Sequence, residues 1–197
     1  MSTAMAWYSG RPTWTDEVTQ QNAISDLVAR LSDPDVVVRD RAASALVLMD
    51  RRVVGLLVEE LNHPDYRMRL GAARVLRDRA DPGVGPYFIE AMNDAELEVR
   101  RVAAEGLIAL GDDGLELVLE ALINLSWKNP TFREEADHVI RRFSSGKFRR
   151  FLEPVTEMME GTEPAAWVPL MAYGALIRIH AIRANRSYPE SESIERF

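Results

Sequence analysis

The stretch Leu27-Val28-Ala29-Arg30-Leu31-Ser32-Asp33-Pro34-Asp35-Val36-Val37-Val38-Arg39-Asp40-Arg41-Ala42-Ala43-Ser44-Ala45-Leu46 decides the architecture of this chain, because it returns. Thirty residues on, Leu57-Val58, Leu61, His63-Pro64-Asp65, Arg69, Ala72-Ala73 and Leu76 stand in the places of Leu27-Val28, Leu31, Asp33-Pro34-Asp35, Arg39, Ala42-Ala43 and Leu46. A further 31 residues on, the frame holds Phe88-Ile89, Met92, Asp94, Arg100, Ala103-Ala104 and Leu107. Self-similarity at a short fixed period marks a stacked array, in which each unit buries its apolar face on its neighbours.

Each unit reads as two helices. Helix A carries the Leu-Val-x-x-Leu stripe, a turn follows on Asp-Pro-Asp or a variant, and helix B carries Val-Arg-x-x-Ala-Ala-x-x-Leu. In the first helix B, Val38, Ala42, Ala45, Leu46 and Met49 recur at helical period. The paired alanines let neighbouring helices approach closely. Asp33 and Asp94 are placed to cap helix B, and Pro34 and Pro64 suit its first turn. A fainter fourth copy, 33 residues after the third, has Leu122 and Leu125, then Asn129-Pro130, Phe132-Arg133, Ala136 and Ile140. A fifth, 36 residues later, has Glu163-Pro164, Val168, Ala172, Ala175 and Leu176, with Pro169 in the arginine's place. No period-two alternation bounded by turn pairs is present. The expected fold is therefore all-α: an α-solenoid, a right-handed superhelix of about five antiparallel helix pairs at 15–50, 51–80, 81–111, 112–144 and 145–184. An N-terminal arm, 1–14, precedes it and a tail, 185–197, follows.

These residues resemble the HEAT repeat, in the short bacterial and archaeal form of phycobilisome-lyase-type proteins. The resemblance spans about 170 residues and is strongest in the first three units. It implies a structural ladder, with Arg39, Arg69, Arg100 and Arg133 as rungs and Asp35, Asp65 and Asp94 of the turns as their partners. It also implies a possible role beside bilin lyase subunits and chaperone-like factors, which handle a tetrapyrrole on another protein. Di-iron hydroxylases of this fold carry repeated His-Glu pairs. Here the histidines precede other residues, as His63-Pro64, His138-Val139 and His180-Ala181, so that chemistry is excluded and a zinc site is unexpected.

Composition narrows the classes further. The 197 residues are 47% hydrophobic and 28% charged, enough for a sizeable core in water. The net charge of -7 argues against nucleic acid as a partner. There is no cysteine, which removes disulfides, thiolate catalysis and Cys-ligated zinc. No basic segment followed by an apolar run opens the chain, and a cytoplasmic location is expected. Pro164 to Ile177, the longest uncharged apolar stretch, is too short to span a bilayer. Gly83-Val84-Gly85 is too slight for a nucleotide fingerprint, and no nucleophile elbow is present. Acidic pairs such as Glu59-Glu60 and Asp112-Asp113 suit helix surfaces and helix starts. No catalytic residue, cofactor or metal is expected.

Function is therefore sought on surfaces. The register exposes, on the B helices, Asp40, Ser44 and Val47, then Leu70, Arg74 and Arg77, then Arg101, Glu105 and Ile108, then Glu134, His138 and Arg141, and finally Leu170, Gly174 and Ile177. A face carrying Arg74, Arg77, Arg101, Glu105, Glu134, His138 and Arg141 suits an acidic segment of a protein partner. The run 141–150 holds five cations with Phe143 and Phe148; it is either a nucleic-acid or anionic-surface patch, or a turn whose aromatics pack. The last helix is apolar on nearly every side, through Ala165, Trp167, Val168, Leu170, Met171, Tyr173, Leu176, Ile177 and Ile179. Such a helix needs cover. Either a partner or second copy docks there, anchored by Trp167 and Tyr173, or the tail with Tyr188, Ile194 and Phe197 folds back. Trp7, Tyr8 and Trp14 of the arm suit a hydrophobic cap or an arm docked on a neighbour. The expectation is a non-catalytic scaffold or adaptor that binds protein partners, with a possible homodimer through the C-terminal repeat.

Overall fold

Ten α-helices follow one another in the computed structural model, whose described residues are 13–124 and 129–184, with side chains from residue 21. They are α1 Thr13–Ala29, α2 Val36–Val47, α3 Arg52–Glu60, α4 Tyr66–Arg79, α5 Gly85–Ala91, α6 Leu97–Ala109, α7 Asp112–Ile123, α8 Pro130–Phe143, α9 Arg149–Glu160 and α10 Pro164–Arg183. Short 3-10 turns, Arg30–Ser32 and Pro82–Val84, adjoin α1 and α5. No strand occurs among the described residues. The fold is an all-α solenoid. The arm and tail aromatics Trp7, Tyr8, Tyr188, Ile194 and Phe197, and Leu125, lie outside the described residues, as does the side chain of Trp14.

The units pair as α1–α2, α3–α4, α5–α6 and α7–α8, and their B helices stack in sequence, α2 on α4, α4 on α6 and α6 on α8. The alanines explain that closeness. Ala42, Ala72, Ala103 and Ala136 are all buried, where a larger side chain would wedge adjacent B helices apart. Around them run Leu46, Leu57, Leu76, Phe88, Leu107, Leu122, Phe132 and Ile140, one continuous buried cluster. The outer face of the first helix is polar as an end unit requires: Gln21, Asn22 and Asp26 are exposed, opposite buried Ile24, Val28 and Leu31. Gly114 sets the α6–α7 crossing. A Cβ there would lie 1.9 Å from the Leu107 carbonyl oxygen, so only a residue without a side chain lets α7 cross so near.

The cap of α2 lies two residues later than the sequence expectation. Asp35 and Asp65 are the N-caps of α2 and α4, accepting from the N–H of Val37 and Arg67 at 2.8 and 2.9 Å. Asp33 and Asp94 lie earlier and accept from the N–H of Asp35 and Glu96, both at 2.8 Å, tightening the turn before the cap. Pro34 and Pro64 therefore precede the caps and stand outside the first helical turn.

The last hairpin departs from the pattern. Continuation of the stack would set α10 on α8; instead α9 packs on α8, and α10 packs on α7 and on α9. The two layers are exchanged. Polar contacts fix the arrangement: Arg183 donates to Glu116 and Asp113 at 2.6 and 2.7 Å, His180 Nε2 lies 3.1 Å from Glu116 Oε2, and Lys147 donates to Asp112 at 2.6 Å. The Asp112-Asp113 pair thus serves the start of α7 and the attachment of the final pair together. Leu170, Gly174 and Ile177 consequently do not extend the B face. Helix α10 also runs 20 residues, beyond the uncharged stretch, and among the described residues it alone is long and apolar enough to cross a membrane. Val168, Ala172, Ala175, Leu176 and Ile179 are buried nevertheless, making it a packed element of the array.

Candidate partner-binding surface

The arginine rungs fasten their own turns. Nη1 of Arg39 donates to the carbonyls of Asp33 and Pro34 at 2.6 and 3.0 Å; Arg69 does so to His63 and Pro64 at 2.9 and 3.1 Å, and Arg100 to Asp94 and Ala95 at 2.8 and 2.9 Å. Asp35 and Asp65 form no ion pair with a rung, Oδ1 of each capping its helix, although the Asp65 charge still favours the Arg69 guanidinium. Asp94 is a partner: Arg69 Nε and Nη2 donate to its two oxygens at 2.7 and 2.9 Å, joining the second unit to the third. Burial pushes the Asp94 carboxyl up, but the Arg69 guanidinium and the Glu96 N–H outweigh it and hold it below the usual carboxylate range. Arg133 makes no such bond among the described residues, and residues 125–128 before it lie outside them. Arg79, which the repeat reading passed over, donates through Nη1 to the carbonyls of Leu46, Val47 and Met49 at 3.1, 2.7 and 2.7 Å. It closes the C-terminus of α2, a role its place in the last turn of α4 could have suggested.

On the B face the predicted residues fall into two groups. Glu105 and His138 meet across α6 and α8, Oε1 to Nε2 at 2.9 Å, and Arg141 is held by Asp137 at 2.6 Å and by Glu160. That half largely neutralises itself, with Glu134 exposed beside it. Toward α4 the balance changes. Arg77 pairs with Asp78 at 2.7 Å, whereas Arg74 and Arg101 are exposed and carry no ion pair among the described residues. Glu135 escaped the sequence reading; it is only 5% exposed, and burial pushes its carboxyl up against the pull of Arg101, Arg100 and His138.

Leu70 corrects the register at one point. It is only 8% exposed and helps to line a groove of about 350 Å³ between α2 and α4. Val36, Ala43 and Tyr66 share the lining, with Arg67, Arg74, Asp40 and Glu98 around it.

The second surface is the stripe on α10. Trp167, Leu170, Tyr173 and Ile177 are 48%, 53%, 54% and 46% exposed, at spacings that keep them on one side of the helix. The structure separates this stripe from the B face by the exchange of layers. The basic run is mostly committed: Arg141, Lys147 and Arg149 hold Asp137, Asp112 and Glu153, while Phe148 and Phe151 are buried and Phe143 is half-buried. Phe148 and Phe151 therefore pack and are not free to stack on bases. No group of three or more metal-ligating side chains occurs among the described residues.

Two overlapping segments, 24–108 and 54–141, match the family described as HEAT repeats. The chain belongs to the HEAT-repeat family. Among solved structures, a chain of the complex of CpcE and CpcF of phycocyanin lyase from Nostoc sp. PCC7120 is 24% identical with a TM-score of 0.54, covering 79% of this chain and 98% of that one. An engineered protein is 20% identical with a TM-score of 0.42, covering 88% and 85%. No curated protein matches. The HEAT stacking seen here and the likeness to the lyase chain concern the fold.

Proposed function

We propose that this HEAT-repeat chain is a non-catalytic scaffold that docks protein partners on two separate surfaces, the B face and the exposed side of α10. The observation that supports this most directly is the α10 stripe. Four large apolar side chains, each about half exposed, line one side of an end helix where an array ordinarily turns a polar face to water. Trp and Tyr are the residue types that carry binding energy at interfaces. A second copy of the chain is one candidate occupant of the stripe. The test is capture from native lysate by the wild type, by Trp167→Glu with Tyr173→Glu, and by Arg74→Glu with Arg101→Glu, with light scattering of each protein alone. Retention of a partner, or self-association, that one variant loses supports the reading. A wild type that retains nothing and stays monomeric overturns it.

A second reading, a bilin-lyase-like or chaperone-like factor acting on a chromoprotein, draws on the likeness to the phycocyanin lyase complex. It predicts that the purified protein takes up a bilin with a change in visible absorbance. An unchanged spectrum removes it.

A further inference from the structure

The groove between α2 and α4 lies beside a close approach of α4 to Leu31. Gly71 stands where α6 has Val102 and α8 has Glu135. Helix α4 there approaches Leu31 so nearly that a Cβ at position 71 would lie 2.8 Å from the Leu31 Cβ. With Ala43 small on the α2 side, a recess is left over Leu70, walled by Val36 and Tyr66. Both wall residues are exposed. Its 350 Å³ is the scale of a ligand-sized cleft, a small apolar floor at Ala43 and Leu70 set within a largely charged rim.

The charge around the recess points to its occupant. Arg67 and Arg74 lie two turns apart on the exposed side of α4, and both line the groove. Neither holds an ion pair among the described residues, although Arg67 lies over the Tyr66 ring, its Cζ 5.9 Å from the centroid. A guanidinium without an ion pair offers a planar fork to a carboxylate. Asp40 and Glu98 stand on the same rim, so an unbroken acidic run is a poor fit.

We infer that this groove takes a short segment of a protein partner in which one bulky apolar side chain is flanked by carboxylates. The apolar group enters the recess over Leu70 and Ala43, the carboxylates meet Arg67 and Arg74, and Asp40 accepts a backbone N–H of the segment. The inference rests on the scaffold reading and gives its B face a ligand chemistry.

The probe is a fluorescein-labelled peptide, Gly-Glu-Asp-Phe-Glu-Asp-Gly, followed by anisotropy. Controls replace its Phe by Gly, or its acids by Lys. Val36→Glu places a carboxylate in the recess, in the first turn of α2 where acid suits the helix dipole, so the fold is kept. Arg67→Glu with Arg74→Glu reverses the rim at exposed sites, and circular dichroism checks both proteins. Saturable binding is expected, weakened about tenfold or more by either variant or by loss of the Phe, and weakened as salt rises from about 50 to about 500 mM. No saturable binding to the wild type, or equal binding of the Lys peptide or by both variants, overturns the inference. Capture that depends on Trp167 is measured apart, so a groove that fails while that capture persists defeats this inference and leaves the scaffold standing.

Discussion

Arg69 reaches out of its own repeat to grip Asp94 of the next, Nε and Nη2 donating to the two carboxylate oxygens at 2.7 and 2.9 Å. Both side chains are largely buried, so the pair is a joint between units, and one partner without the other strands a charge. Asp94→Ala is expected to cost about 2 kcal/mol in urea unfolding, and much less when Arg69 is already alanine. The pH dependence follows from the direction of the shift. A carboxyl held below its unfolded value contributes stability above that value and loses it as pH falls through the lower folded one. The wild type should therefore lose this increment only below about pH 4, while Asp94→Ala shows no such loss from this site. Additive single-variant costs would contradict the joint.

Gly114 makes a sharper demand on packing. An added Cβ would meet backbone, the Leu107 carbonyl at 1.9 Å, which no rotamer change relieves. Gly114→Ala should destabilise by about 3 kcal/mol or more, a size reserved for overpacking against a fixed neighbour. Leu76→Ala, fully buried in α4, is expected to cost about 2 to 5 kcal/mol through its cavity. Thermal and urea unfolding read both.

The helix pairs were legible because burial on one helix face leaves a local trace: Ala42, Ala72 and Ala103 recur where B helices touch. The ladder was legible in its arginines and misjudged in its partners. Asp35 and Asp65 lie four residues before Arg39 and Arg69, the spacing of a helical ion pair, yet Oδ1 of each accepts from the N–H that opens α2 or α4 and no ion pair to the rung forms. The exchange of layers could not be read from the local departure of the fifth unit, Pro169 in the arginine's place. It is expressed in contacts such as Asp113–Arg183 and Glu116–His180, 70 and 64 residues apart in the chain. The groove was hidden for a similar reason, since Leu70 reads as exposed from its own helix yet is only 8% exposed in the stacked array, beside the close approach of α4 to Leu31 at Gly71.

The attachment of α10 can be loosened without touching its core. Glu116 accepts from Arg183 and faces His180, while Asp113 takes the other arm of Arg183. Arg183 is partly exposed, so the network is discounted for solvent, and Glu116→Gln with Asp113→Asn should cost about 1 kcal/mol. Hydrogen exchange should rise in the last turns of α10 and stay unchanged in α4. Equal exchange throughout would mean that apolar packing alone holds the exchanged pair.

Trp167 and Val168 are neighbours in sequence and opposites in environment, one about half exposed and the other wholly buried against the array. A carboxylate at 168 would be trapped in the core, so Val168→Glu should unfold the terminal pair. Trp167→Glu exposes no core and should cost about 1 kcal/mol or less, keeping helicity while partner retention or self-association falls. Circular dichroism and light scattering on the two variants separate the alternatives. If Trp167→Glu melts α10 as Val168→Glu does, the stripe is interior surface and the docking role of α10 fails; if only Val168→Glu melts it, Trp167 is free to anchor a partner.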